Sequence, residues 1–173
     1  PPAMWSWTHE TITAVLDAAE AALKKSAADL GMIEDTKLIR KERAVGLLYL
    51  REVHRSTPFF LDELALQARQ AVMTALEERD KSIPFCTFNG GRDVFVDVGT
   101  KEIGIDALRG LTGAERSQTL HLGDQFTRTG NDLLARRACG TIWVDSPQET
   151  TVVLNSLLQA IDAEAAAAET VEQ

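Results

Sequence analysis

The residues best suited to chemistry lie between Gly123 and Asp132, where Gly123-Asp124 and Asn131-Asp132 bracket a short loop. Gly123 allows a sharp turn after a short apolar strand. Asp124 then projects beyond the strand's carboxyl end, where open parallel sheets hold their ligands. Mg²⁺ takes one or two carboxylates and fills its other positions with water and phosphate oxygens. A single well-placed Asp124 meets that demand, so the loop is a candidate for a divalent metal beside a phosphate. Taken alone, Asp124 also suits an ordinary turn. Asp132 equally suits a carboxylate at the positive end of a helix dipole.

Lys101 is the second candidate. It follows a strand and a Gly99-Thr100 turn and precedes a helix. An ammonium group there could reach a phosphoryl group and neutralise charge between carboxylates, or simply lie in solvent. Asp93 and Asp97 share one strand face, ready either to receive ligand hydroxyls or to face water. His9, His54 and His121 show no metal-ligand spacing. His121 falls within the strand before Asp124 and reads as a sheet residue, not a catalytic base. Trp5 and Trp7 are expected to pin the N-terminal segment onto apolar surface.

The elements that must position these groups follow from periodicity. Thr8 caps a helix that buries Ile12, Val15, Leu16, Ala19, Leu23, Ala27 and Leu30 and stops at Gly31. Lys37 to Arg43 is basic and lacks a helical period. Ala44 to Leu50 reads as a strand, and Phe60 to Glu78 as a second amphipathic helix. Phe85–Phe88 and Asp93–Val98 form a hairpin around Asn89-Gly90-Gly91, whose residues tolerate positive φ. Val94, Val96 and Val98 take one face. A helix follows Lys101 through Ile105 and Leu108. Then come a short buried strand at Leu120–Leu122, a helix at Asp132–Arg137 and a strand at Thr141–Val144. Ser146-Pro147-Gln148-Glu149 matches a capping box with proline at the first helical position. The last helix carries Val152, Val153, Leu157, Leu158 and Ile161, and its Ala- and Glu-rich tail, Ala163 to Gln173, is expected to fray. Alternating strands and helices in this half imply an α/β fold with a parallel sheet. No internal repeat is visible.

Composition narrows the function classes. The 173 residues carry a net charge of -8, which disfavours nucleic acid and anionic membranes as partners. No basic patch interleaved with aromatics occurs. No apolar run approaches the roughly 20 residues that span a bilayer, and no signal peptide is expected. Cys86 and Cys139 are far apart and suit buried thiols of a cytoplasmic protein better than a disulfide. The chain opens with Pro1-Pro2, which suggests a processed, trimmed or engineered piece.

Longer stretches carry a family resemblance. Pro84 to Lys101 (PFCTFNGGRDVFVDVGTK), Leu120 to Phe126 (LHLGDQF) and Gly130-Asn131-Asp132 resemble the IMP-specific 5′-nucleotidases of fungi and apicomplexan parasites. Trp5-Ser6-Trp7, Arg40 to Gly46, Ala138 to Trp143 and Ser146 to Thr150 extend the likeness over nearly the whole chain. The resemblance implies a haloacid dehalogenase-like, Rossmann-type core and Mg²⁺-dependent hydrolysis of IMP to inosine and phosphate through an aspartyl-phosphate. Lys101 would support the nucleophile and phosphate. Asp124 would hold the metal, with Asp132 as its catalytic partner or support. Asp97 and Asp93, together with Lys101, would contact the nucleotide. ATP as an allosteric effector and a tetrameric homo-oligomer are further implied.

One departure stands out. The nucleophile of such enzymes belongs to an Asp-x-Asp sequence after an apolar strand, and no Asp-x-Asp occurs in the chain. Val94 to Thr100 imitates it, but Gly99 stands where the second aspartate belongs. We therefore expect a C-terminal portion: residues 1–36 a helical segment, 37–98 part of an α+β cap, and 99–173 the last core units. Such a portion would be inactive alone, with apolar edges seeking a partner. Competing readings are a related phosphatase acting on sugar phosphates and a non-catalytic nucleotide-binding module.

Overall fold

The computed structural model describes residues 7–52, 57–77 and 83–171. Trp5 and His54 lie outside them. Helix α1, His9–Asp29, starts where Thr8 Oγ1 accepts the Thr11 amide hydrogen at 3.2 Å. It ends where Gly31 takes φ of 67°, as the sequence implies.

Strands β1 (Thr36–Arg40), β2 (Ala44–Tyr49), β3 (Phe85–Asn89) and β4 (Asp93–Val98) form one antiparallel sheet in the order β1-β2-β4-β3. Strand β1 falls in the basic stretch from Lys37, whose lack of a helical period does not itself specify a strand. Two tertiary features hold it. It pairs with β2 from Thr36↔Tyr49 to Arg40↔Val45. Arg40 also reaches α1, with its guanidinium 2.6 Å from Asp17 and 2.8 Å from Glu20.

Helices α1 and α2 (Thr57–Glu77) bury one face of this sheet. Val15, Leu16 and Leu23 meet Leu61, Leu64 and Val72, with Val45, Val94 and Val96 beneath them. One core thus joins the helical segment before residue 37 to the sheet after it. Trp7 packs against this core. The opposite face is not simply polar. Phe95 is buried there, stacked with Phe88 at 6.2 Å between centroids and covered by Lys41 Nζ at 4.4 Å. Gly46, paired with Phe95, makes this possible, because a Cβ there would lie 2.6 Å from Phe95 Cδ1.

The remaining elements are α3 (Lys101–Thr112), β5 (Leu120–Gly123), β6 (Gly140–Trp143) and α4 (Pro147–Val171). Strands β5 and β6 pair in parallel from Leu120↔Gly140 to Gly123↔Trp143. Their connection includes the expected helical piece, which is a 3₁₀ helix, Leu133–Arg137, with Asp132 as its N-cap. A helical piece this short is in the length range where 3₁₀ turns serve as connectors. Strand β5 is less buried than its sequence suggests: Leu120 is exposed and Leu122 half-buried. Ser146 Oγ caps α4 at the Glu149 amide, while Glu149 accepts from Asp145 N, one residue earlier than a standard capping box. The helix continues through Val171, past the expected fraying point. Leu154, Leu157, Leu158 and Ile161 of α4, with Trp143 of β6, are exposed apolar groups. No helix of the described residues is long and apolar enough to cross a membrane.

Candidate active site

Two loops converge at the carboxyl end of β5. Strand β4 ends at Gly99, whose φ of 99° turns the chain toward α3. Thr100 Oγ1 then caps α3 at the Ile103 amide, 3.3 Å away. This fixes Lys101 at the first helical position, facing the loop after β5.

That loop is built around Asp132. Its side chain is only 1% exposed, yet its carboxylate is well satisfied. Oδ1 accepts from Lys101 Nζ at 2.5 Å and from His121 Nε2 at 2.6 Å. Oδ2 accepts from the Gln125 amide at 2.9 Å, and the Asp132 amide donates back to the Gln125 carbonyl at 3.0 Å. Burial opposes ionisation of this carboxyl. The hydrogen bonds from Lys101, His121 and Gln125 outweigh it and hold Asp132 below the ordinary carboxylate range. Gly123 is what makes room: a Cβ there would sit 2.4 Å from Asp132 Cγ. Gly130 performs the same service across the loop, where a Cβ would fall 2.0 Å from the Gln125 carbonyl oxygen.

His121 belongs to this cluster. It lies on β5 as a sheet residue, as expected, but its ring reaches Asp132, which the sequence reading did not anticipate. The available signal was the two-residue alternation that places His121 and Gly123 on one side of β5.

A cleft of about 220 Å³ lies beside Lys101 and is lined by Cys86, Phe88, Asp97, Thr100 and Asn131. Lysine and aspartate thus meet in one hollow from β4, α3 and the β5–β6 loop. Burial raises the Asp97 carboxyl, Lys41 opposes that rise, and Asp93 adds to it. Burial, with the negative charge of Asp97 on the paired strand, pushes the Cys86 thiol up to about 12. Asp93 takes another position. Its carboxylate folds back over Gly90, where a Cβ would lie 2.2 Å from Oδ1.

Asp124 is exposed and faces a second hollow of about 330 Å³, shared with Asp145, Ser146 and Thr150. Among the described residues no three His, Cys, Asp or Glu side chains cluster as a metal cage. Asp124 and Asp145 line the same hollow and could offer one or two carboxylates to a divalent ion that takes its other ligands from water and phosphate.

Comparison with known proteins shows the family. The model of the IMP-specific 5′-nucleotidase family matches residues 1–154. IMP-specific 5′-nucleotidase 1 of Aspergillus fumigatus is 43% identical over 158 residues, covering 89% of this chain and 34% of that protein. The Saccharomyces cerevisiae protein of the same name is 36% identical over 173 residues, covering 91% and 38%. The chain thus spans little more than a third of these curated relatives. Among solved structures, an IMP-bound, N-terminally truncated Plasmodium falciparum IMP-nucleotidase superposes with a TM-score of 0.76 at 30% identity, covering 88% of this chain and 39% of that one. An ATP-bound form of the Plasmodium falciparum enzyme superposes at 0.63 with 31% identity, covering 83% and 32%. On the extent of the family match and on these identities, the chain belongs to the IMP-specific 5′-nucleotidase family.

Proposed function

We propose that this chain supplies the phosphate- and nucleotide-holding part of a Mg²⁺-dependent enzyme that hydrolyses IMP to inosine and phosphate. The observation that carries the reading is Lys101, which lines a cleft with Asp97 and Asn131 and is held from behind by Asp132, itself shared with His121. Lys101 is 38% exposed, so its ammonium can turn to a phosphoryl oxygen while Asp132 holds its other side. Asp132, buried and fully engaged, acts through Lys101 and through the Gln125 amide, as a positioning residue. Asp97 receives polar groups of the nucleotide at the far wall of the cleft. Asp93, folded back over Gly90, acts on Asp97 through its charge.

Asp124 is the residue that would hold Mg²⁺, whose chemistry when bound is to neutralise phosphate charge. The reaction we infer runs through an aspartyl-phosphate on a haloacid dehalogenase-like core. The attacking aspartate comes from outside residues 1–173, where no Asp-x-Asp occurs. ATP is a candidate regulator, in line with the ATP-bound relative, and a homo-oligomer is the candidate assembly.

The test is phosphate release from IMP by a polypeptide carrying this sequence at the full length of its relatives. We expect Mg²⁺-dependent turnover that prefers IMP over hexose phosphates, and Asp124→Asn should lower it at least about 100-fold and weaken the Mg²⁺ dependence. A preference for hexose phosphates, or an Asp124→Asn variant with unchanged Mg²⁺ response, refutes the assignment.

A further inference from the structure

The loop that carries Asp124 and Asn131 is tied to the antiparallel sheet unit by hydrogen bonds from residues next to the cleft lining. Asp62, in the second turn of α2, is half-buried beneath that loop. Its Oδ1 accepts from Thr129 Oγ1 at 2.5 Å and from Asn89 Nδ2 at 3.0 Å. The Asn89 amide donates to the Thr129 carbonyl at 2.8 Å, and Asn89 Oδ1 accepts from the Gly91 amide at 2.8 Å. Asn89 and Thr129 are both buried. Three segments therefore share one carboxylate oxygen: a helix, the end of β3, and the loop tip 67 residues from Asp62.

We propose that Asp62 and Thr129 form a latch that positions the Gly123–Asp132 loop against the sheet bearing Asp97. A carboxylate accepting two hydrogen bonds in a buried place is a directional clamp, since neither donor finds water if it lets go. The loop itself has little freedom between its anchors. The Gly130 amide bonds the Thr127 carbonyl at 3.0 Å, and Gln125 and Asp132 bond each other in both directions. Holding Thr129 thus fixes Asn131 two residues later in the cleft wall, and Asp124 five residues earlier. The latch sets the distance between the strand that receives the nucleotide and the loop that holds metal and phosphate. Its consequence for turnover rests on the nucleotidase reading; its effect on the loop does not.

Amide hydrogen exchange on this chain tests the loop directly. Thr129→Val keeps the side chain's shape and removes the donor. We expect exchange at Gln125, Gly130 and Asp132 to quicken about 10-fold or more, with Val45, Val94 and Val96 unchanged as the control for folding. Thr129→Ser should restore slow exchange. Asp62→Ala should quicken the same amides, and the double variant should do no more than the faster single one. In the full-length polypeptide, Thr129→Val should lower kcat about 10- to 100-fold through misplacement of the loop, with KM for IMP little changed. Unchanged exchange at the three loop amides, or additive effects in the double variant, overturns the latch. Faster loop exchange with unchanged kcat overturns its positioning role. If the unmodified polypeptide does not hydrolyse IMP, the nucleotidase reading fails, and exchange alone decides the latch.

Discussion

Replacing Asp132 with asparagine probes the centre of the site with almost no change of shape. The carboxylate now satisfies three donors, Lys101 Nζ, His121 Nε2 and the Gln125 amide. An asparagine has one oxygen and one NH₂. With the oxygen toward Lys101 and His121, its NH₂ confronts the Gln125 amide, donor against donor. With the oxygen toward Gln125, its NH₂ confronts the Lys101 ammonium. Either orientation leaves a buried donor unmatched, at a cost of about 1–3 kcal/mol. Removing one member of a buried charged pair costs roughly 3–5 kcal/mol in general. Lys101 is 38% exposed and recovers water, so we expect the loss near the lower value, about 2–3 kcal/mol.

The pH dependence sharpens this prediction. Asp132 is held below its unfolded value, so its stabilisation is complete above that value and is lost as pH falls through the folded one. The difference between the parent and Asp132→Asn should therefore be full at about pH 7 and should shrink below about pH 4. Urea unfolding followed by circular dichroism at both ends of that range measures it. A variant within about 0.5 kcal/mol of the parent at neutral pH, or a difference that persists undiminished in acid, refutes the account of Asp132 as an ionised hub.

Other expectations follow from the same geometry. Gly123→Ala places a methyl group 2.4 Å from Asp132 Cγ and must displace that carboxylate. It should destabilise the chain by about 2–4 kcal/mol and free the Lys101 ammonium, seen as loss of its slowed side-chain exchange by NMR; near-parental stability would show that the loop yields without cost. Asp97→Asn should have the opposite effect on stability. Burial raises the Asp97 carboxyl, so the folded state holds that proton more tightly and stability falls as pH rises through the interval above the unfolded value. The variant should melt higher at neutral pH while the full-length polypeptide loses affinity for IMP; a lower melting temperature would contradict the desolvation argument.

The amino-acid sequence by itself determined what short-range physics controls. Helical spacing and the caps at Thr8 and Ser146 placed α1 and α4, and the Gly99-Thr100 turn marked the start of α3. Asn89-Gly90-Gly91 placed the hairpin, and Gly123-Asp124 marked the loop. Long family motifs identified the relatives. Each of these signals is carried by residues within a few positions of one another. Tertiary structure alone decided the rest. Strand β1 exists because β2 and α1 hold it, against its own weak pattern. Phe95 is buried on the face it shares with Asp93 and Asp97 because Gly46 leaves space opposite. Lys101 meets Asp132 across 31 residues, and Asp62 meets Thr129 across 67. No local period encodes such pairs. They form because the sheet and its helices pack in one way, and the buried carboxylates at their junction must then find donors. The loop from Gly123 to Asp132 was visible as chemistry from its residue types. That Asp132 is its hub, shared between Lys101 and His121, is a property of the fold.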